Sequence, residues 1–103
     1  MIIYNVTTQV DPQIEQEWLQ WMREIYLPEV FQCGAFEAIN LLKIHSDALD
    51  SLSYAIQYVA ASKQILQAYL NQWENAHIAK EKERFGEQTL RFQTELEIVH
   101  SIS

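Results

Sequence analysis

The chain has 103 residues, and its hydrophobic share of 49% is enough to bury a core without disulfides or a structural metal. Its 14 acidic residues against 7 basic ones leave a formal charge of -7, so the mean surface field repels polyphosphate, nucleic acid is disfavoured, and no nucleic-acid partner is expected. No apolar run approaches membrane-spanning length, and neither a glycine-rich phosphate loop nor a GxSxG or Walker signature is present, which removes membrane-spanning and motif-based nucleotide functions.

Residues Ile2 to Val10 alternate, with Ile2, Tyr4, Val6 and Val10 on one face and Ile3, Asn5, Thr7 and Gln9 on the other, the pattern of a half-buried strand. Met1 leads into that strand with no basic or apolar leader region before it, so the expected location is the cytosol. Asp11-Pro12 supplies an N-cap and a proline at the first helical position, where a missing N–H is harmless. A first helix follows, with Ile14, Trp18, Trp21, Met22 and Ile25 forming an apolar stripe. Pro28 is expected to end or disrupt this helix near Tyr26 or Leu27, with a short extra turn before Cys33-Gly34. Cys33 is the single cysteine, which rules out an intramolecular disulfide, and with no basic neighbour it reads as a packing residue.

Phe36 to His45 and Leu52 to Ala60 read as two strands of an antiparallel hairpin, joined by a turn-rich link over 46–51. Ser62 caps a second helix carrying Ile65, Leu66, Tyr69, Leu70, Trp73 and Ala76, which Gly86 terminates; its basic stretch from Lys80 to Arg84 alternates in sign and reads as a solvated face. Leu90 to Val99 alternates again, setting Leu90, Phe92, Thr94, Leu96 and Ile98 against Arg91, Gln93, Glu95 and Glu97.

The order β-α-β-β-α-β over residues 1–103 predicts one α+β domain, a ferredoxin-like sandwich with two helices on one face of a four-stranded antiparallel sheet. The helices are expected on the side of Ile2, Tyr4, Val6, Phe92, Leu96 and Ile98. That leaves Ile3, Asn5, Thr7, Arg91, Gln93 and Glu95 uncovered, together with either Ile39, Leu41 and His45 or their alternates. A face of this mixed character is suited to pairing with a second copy around a small polar space, so a homodimer is expected.

Met1-Ile2-Ile3-Tyr4-Asn5-Val6-Thr7, Trp18-Leu19 with Trp21-Met22, Pro28-Glu29-Val30, Arg84-Phe85-Gly86 and Leu96-Glu97-Ile98-Val99 form an ordered set over nearly the whole chain. In that order they resemble a family of small bacterial proteins catalogued as domain of unknown function 4286. The resemblance implies a dimeric α/β-barrel architecture, in the superfamily of the antibiotic-biosynthesis-type monooxygenases, and brings no established activity. The family pattern often has histidine at the places of Tyr26 and Glu81, which this chain lacks.

The residues suggest few chemistries. His45, His77 and His100 show no metal-ligand spacing; His77 and Glu81 are four apart but two ligands do not make a site, and a solvent-facing pair is the plain expectation, so no metal and no cofactor are expected. Asn5, Trp73 and His77 are the candidate catalytic set, partly resembling that of haem-degrading monooxygenases, while Trp73 also suits a helix-to-sheet anchor. Two tryptophans within one turn suggest that one borders a pocket, which makes Trp21 and Tyr26 the candidate ligand wall; Glu29 is expected to be exposed. These residues suggest a homodimeric binding or accessory protein for a small molecule. The alternative is a cofactor-light monooxygenase-type oxidoreductase acting on a planar aromatic or haem-like substrate, and a third reading is a purely structural interaction module.

Overall fold

The computed structural model describes residues 1–45 and 52–103, and the expected turn over 46–51 lies outside them. Strand β1 (Ile2–Val10) is followed by α1 (Glu15–Trp21), a π-helical turn (Met22–Tyr26), α2 (Leu27–Gln32), β2 (Ala38–Lys43), β3 (Leu52–Ala60), α3 (Lys63–Gln72), α4 (Glu74–Phe85) and β4 (Thr89–Glu97). The strands form one antiparallel sheet in the order β2-β3-β1-β4. The fold is thus α+β, and no helix among the described residues is long and apolar enough to cross a membrane.

Alternation on β1 and β3 divides the sheet cleanly. Tyr4, Val6, Thr8 and Val10 pair in register with Tyr58, Ile56, Tyr54 and Leu52 and form the floor beneath the helices. On β4 the faces are the reverse of those expected. Thr8 is opposite Arg91 and Thr7 opposite Phe92, and cross-strand partners share a face. Arg91, Gln93 and Glu95 therefore point to the helical side, whereas Leu90, Phe92 and Leu96 join Ile3, Asn5 and Thr7 on the outer side. From β2 that outer face takes the alternates Ala38, Asn40 and Leu42, because Val59, Gln57 and Ala55 are their partners.

The first helical segment begins as its sequence requires: the Asp11 side chain accepts from the Gln13 backbone N–H, and Pro12 opens a short 3-10 turn that leads into α1. It does not stop at Pro28. Besides Trp21, its buried residues form the row Ile14, Trp18, Met22, Tyr26 and Val30, spaced by four, whereas an α-helix repeats every 3.6 residues. A regular helix would carry such a row around its axis. The π turn lets the Leu27 N–H reach the Met22 carbonyl five residues back, which widens the helix and holds the row toward the sheet. It also sits where Pro28 has no N–H to donate to Glu24, so the chain stays helical to Gln32. The wide turn brings Tyr26 inward, and Ile25, expected on the apolar stripe, is exposed instead.

The second helical segment is bent rather than continuous. Ser62 caps it by accepting from the Ile65 N–H, but at Trp73 the backbone turns to φ -121° and separates α3 from α4. Before the bend Leu66 and Tyr69 are buried; after it the buried row is His77, Glu81 and Phe85. Gly86, at φ 59°, ends α4 in the left-handed region where glycine is unstrained.

Trp18 and Trp21 are both buried, Trp18 completely and Trp21 to 8% exposure. Trp18 packs on Tyr54 of the sheet and Trp21 against Tyr26 and the edge of Phe85. Cys33 is half-buried against the core. Trp18→Ala should lower unfolding stability by about 3–5 kcal/mol, the usual loss for a buried tryptophan, while the exposed His100→Ala should stay within about 0.5 kcal/mol of the parent. Coincident denaturation midpoints for the two variants would contradict this packing.

Candidate functional site

Between the helices and the sheet lies a polar and aromatic layer built mainly from α4. His77 is only 4% exposed and Glu81 7%, so the solvent-facing pair expected on this helix is instead internal. The reason is the bend at Trp73, which turns that side of α4 downward. His77, Glu81 and Tyr4 each have a partner in this layer, as burial demands. The Tyr69 hydroxyl is 2.8 Å from His77 Nδ1, and Trp18 Nε1 donates to Glu81 Oε2 at 2.8 Å, tying α1 to α4. The Tyr4 hydroxyl donates to Glu74, the first residue of α4. Arg91 Nη2 approaches the same Glu74 carboxylate at 3.9 Å.

Burial dominates the electrostatics here. It pushes the hydroxyls of Tyr4, Tyr26, Tyr58 and Tyr69 far above the ordinary tyrosine range, and the Arg91 charge pulls back on the first three. At the edge, burial and a hydrogen bond to Glu15 raise Tyr54 to about 12. His77 is held below 6.5, chiefly by desolvation, with Glu29 opposing and Lys80 assisting the shift. Its ring is therefore neutral near pH 7, and it shares one hydrogen bond with the Tyr69 hydroxyl through Nδ1, whose direction the tautomer sets.

The sequence-predicted residues divide between two places. Trp73 and His77 come together, their rings stacked with centroids 6.1 Å apart, and Tyr26 meets His77 edge-on at 6.3 Å. Trp73 is 43% exposed, so it roofs the histidine rather than anchoring the helix to the sheet. Trp21 stacks on Tyr26 and reaches the floor of a surface groove of about 800 Å³ between α2 and α4. Glu29 lines that groove and pairs with Lys80. Asn5 is on the outer face, with the sheet between it and His77; its Nδ2 donates to Thr7 Oγ1 at 3.3 Å. His45 lies past the end of β2, and both it and His100 are exposed. Tyr69, Glu81 and Arg91 were missed as members of the internal layer. The four-residue row His77, Glu81, Phe85 was the signal for Glu81, since Phe85 marks that row as inward.

The outer face has its own order. Asn40, Gln57, Asn5 and Thr94 lie side by side across the four strands, a row of hydrogen-bonding side chains. On one side of it run Ala38, Val59, Ile3 and Leu96, and on the other Leu42, Ala55, Thr7 and Phe92. Phe92 is 52% exposed and Leu96 42%, unusually open for large apolar side chains at the middle of a strand.

These features define a small α+β protein with an internal polar layer and an uncovered, banded sheet face. Among the described residues no three metal-ligating side chains gather to hold an ion. Residues 1–99 match the family model described as Domain of unknown function (DUF4286), and the chain belongs to that family. No curated protein matches it.

The neutral, buried His77 sets a pH dependence. Its folded-state pKa lies below the unfolded value of 6.5, so the unfolded chain takes up the proton first. The stability His77 contributes is present above about pH 6.5 and is lost as pH falls through the lower folded value. Relative to His77→Gln, the parent should lose additional stability as pH falls below about 6.5 in denaturant titrations. Parallel pH profiles for the two proteins would show that His77 is not held neutral.

Proposed function

We propose that this chain is a ferredoxin-like unit that acts as a cytosolic homodimer, two copies pairing through their outer sheet faces in the manner of a dimeric α/β barrel. In this reading it is a binding or accessory protein whose small-molecule ligand occupies the space along the row Asn40, Gln57, Asn5 and Thr94. The observation that carries it is the banding of that face. Exposed Leu42, Phe92 and Leu96 favour burial against another surface, while the amide row requires hydrogen-bonding partners once water is displaced. A two-fold axis through the row brings it against its own copy, with apolar bands closing both sides, so one self-complementary surface meets both needs. The ligand suited to such a space is uncharged, flat enough to lie between two sheets, and able to exchange hydrogen bonds with carboxamides.

The oxidoreductase alternative draws on Asn5, Trp73 and His77 sharing one cavity. The sheet stands between Asn5 and the other two, and no reaction is assigned to them.

Light scattering should give a mass of two chains at micromolar concentration. Phe92→Asp or Leu96→Asp should give one chain with an unchanged far-ultraviolet circular dichroism spectrum, because a charge there cannot be buried unpaired. A single-chain mass for the parent across dilution would overturn the pairing. Native mass spectrometry of the dimer should show a retained small molecule that Asn5→Leu releases; a bare dimer would reduce the role to structural pairing.

A further inference from the structure

A second feature lies at the junction of α4 and β4. Where α4 passes over the start of β4, a cleft of about 400 Å³ is lined by Ile78, Glu81, Lys82, Thr89, Leu90 and Arg91 among others. Arg91 is the cationic residue of β4, and its guanidinium is incompletely bonded. Nη2 stands 3.9 Å from Glu74, an ion-pair distance but beyond a hydrogen bond. Nε and Nη1 are buried with no hydrogen-bond partner in the protein. Among the described residues no other carboxylate comes within ion-pair distance of Arg91.

An arginine in this state is expensive to keep. Buried N–H groups without acceptors destabilise the fold, and more so on a charged group. Its neighbours do not offset that loss: Tyr4 directs its hydroxyl to Glu74 and Glu81 accepts from Trp18. A guanidinium fork, with adjacent N–H groups in one plane, matches the two oxygens of a carboxylate better than any other common acceptor except phosphate.

We propose that this cleft binds a small organic carboxylate, with Arg91 as the anion-binding residue turning its unpaired N–H edge toward the ligand. Ile78 and Leu90 receive the apolar body of the molecule. Charge distinguishes the two candidate anions. Glu81, Lys82 and Glu87 also line the cleft and Glu74 adjoins Arg91, so three carboxylates face two cations, and the net negative surroundings oppose a phosphate dianion more strongly than a monoanion. Arg91 lies on the side of β4 away from the outer face, while Leu90 at the edge of the cleft belongs to that face.

The test is calorimetric titration of the parent with benzoate and acetate, with benzamide and inorganic phosphate as controls, paired with thermal denaturation. Benzoate should bind saturably and raise the melting temperature, acetate more weakly, and the two controls not at all. Arg91→Gln should weaken benzoate roughly 10- to 100-fold. Arg91→Lys, which keeps the charge and loses the fork, should be weakened as well. Ile78→Trp, which fills the cleft and leaves Arg91 in place, should also abolish binding, so a folding defect at Arg91 cannot decide the outcome. No saturable carboxylate binding by the parent, an equal response to benzamide or phosphate, or benzoate binding unchanged in both Arg91→Gln and Ile78→Trp would each overturn the proposal.

Discussion

The pairing of β1 with β4 is the constraint on which the functional surfaces depend. With Thr8 opposite Arg91 and Thr7 opposite Phe92, every side chain of the edge strand has its face decided, because a slip by one residue would exchange the two sets. The outcome is unusual in distributing charge inward and apolar side chains outward. Under the helices β1 and β3 present Tyr, Val and Ile, but β4 presents Arg91, Gln93 and Glu95. The helical layer buries one face of β1 and β3 and leaves most of β4 open, so Arg91 borders a cleft rather than a core. On the other side Phe92 and Leu96 complete two apolar bands that stay open among the described residues.

The second constraint is helical phase. Rows of side chains four residues apart cannot remain on one face of an undistorted α-helix. The chain meets this difficulty twice and in two ways: a π turn between α1 and α2, and a bend at Trp73 between α3 and α4. Both distortions serve the same layer. The first holds Trp18 and Tyr26 over the sheet, the second turns His77 and Glu81 to meet them, and the Trp18 to Glu81 hydrogen bond joins the two segments. The aromatic rings around it, Tyr26, Tyr69 and Trp73 among them, surround His77 closely enough to keep it neutral.

Much of the fold was legible in the sequence because period-2 and helical patterns survive whatever packs on them. Leu52 to Ala60 was read with the bounds it has, and the caps at Asp11 and Ser62 and the stop at Gly86 follow from side-chain and backbone chemistry that acts locally. Alternation has no sign, however: Leu90 to Leu96 shows two faces without saying which meets the helices, and only register with β1 decides it. The disruption expected near Pro28 takes the form of the π turn just before it, and that the chain stays helical there depends on the preceding turn doing without the Glu24 acceptor, which no local pattern shows. Ile25 and Tyr26 then exchanged roles, and His77 with Glu81 moved from the surface to the interior when the helix bent. The candidate set was affected most, because Asn5 and His77 are related through the sheet and not along any pattern a single strand or helix displays.

The central claim is that the banded outer face is a self-complementary surface. The most direct measurement is isotope-filtered nuclear Overhauser spectroscopy on a mixture of labelled and unlabelled protein, which reports only contacts between copies. Cross-peaks between chains should involve the methyl groups of Ile3, Leu42, Val59 and Leu96 and the ring of Phe92, and none should arise from Ile25 or Ile65 on the helices. Contacts between chains arising from the helical side, or none from the sheet face, would contradict it.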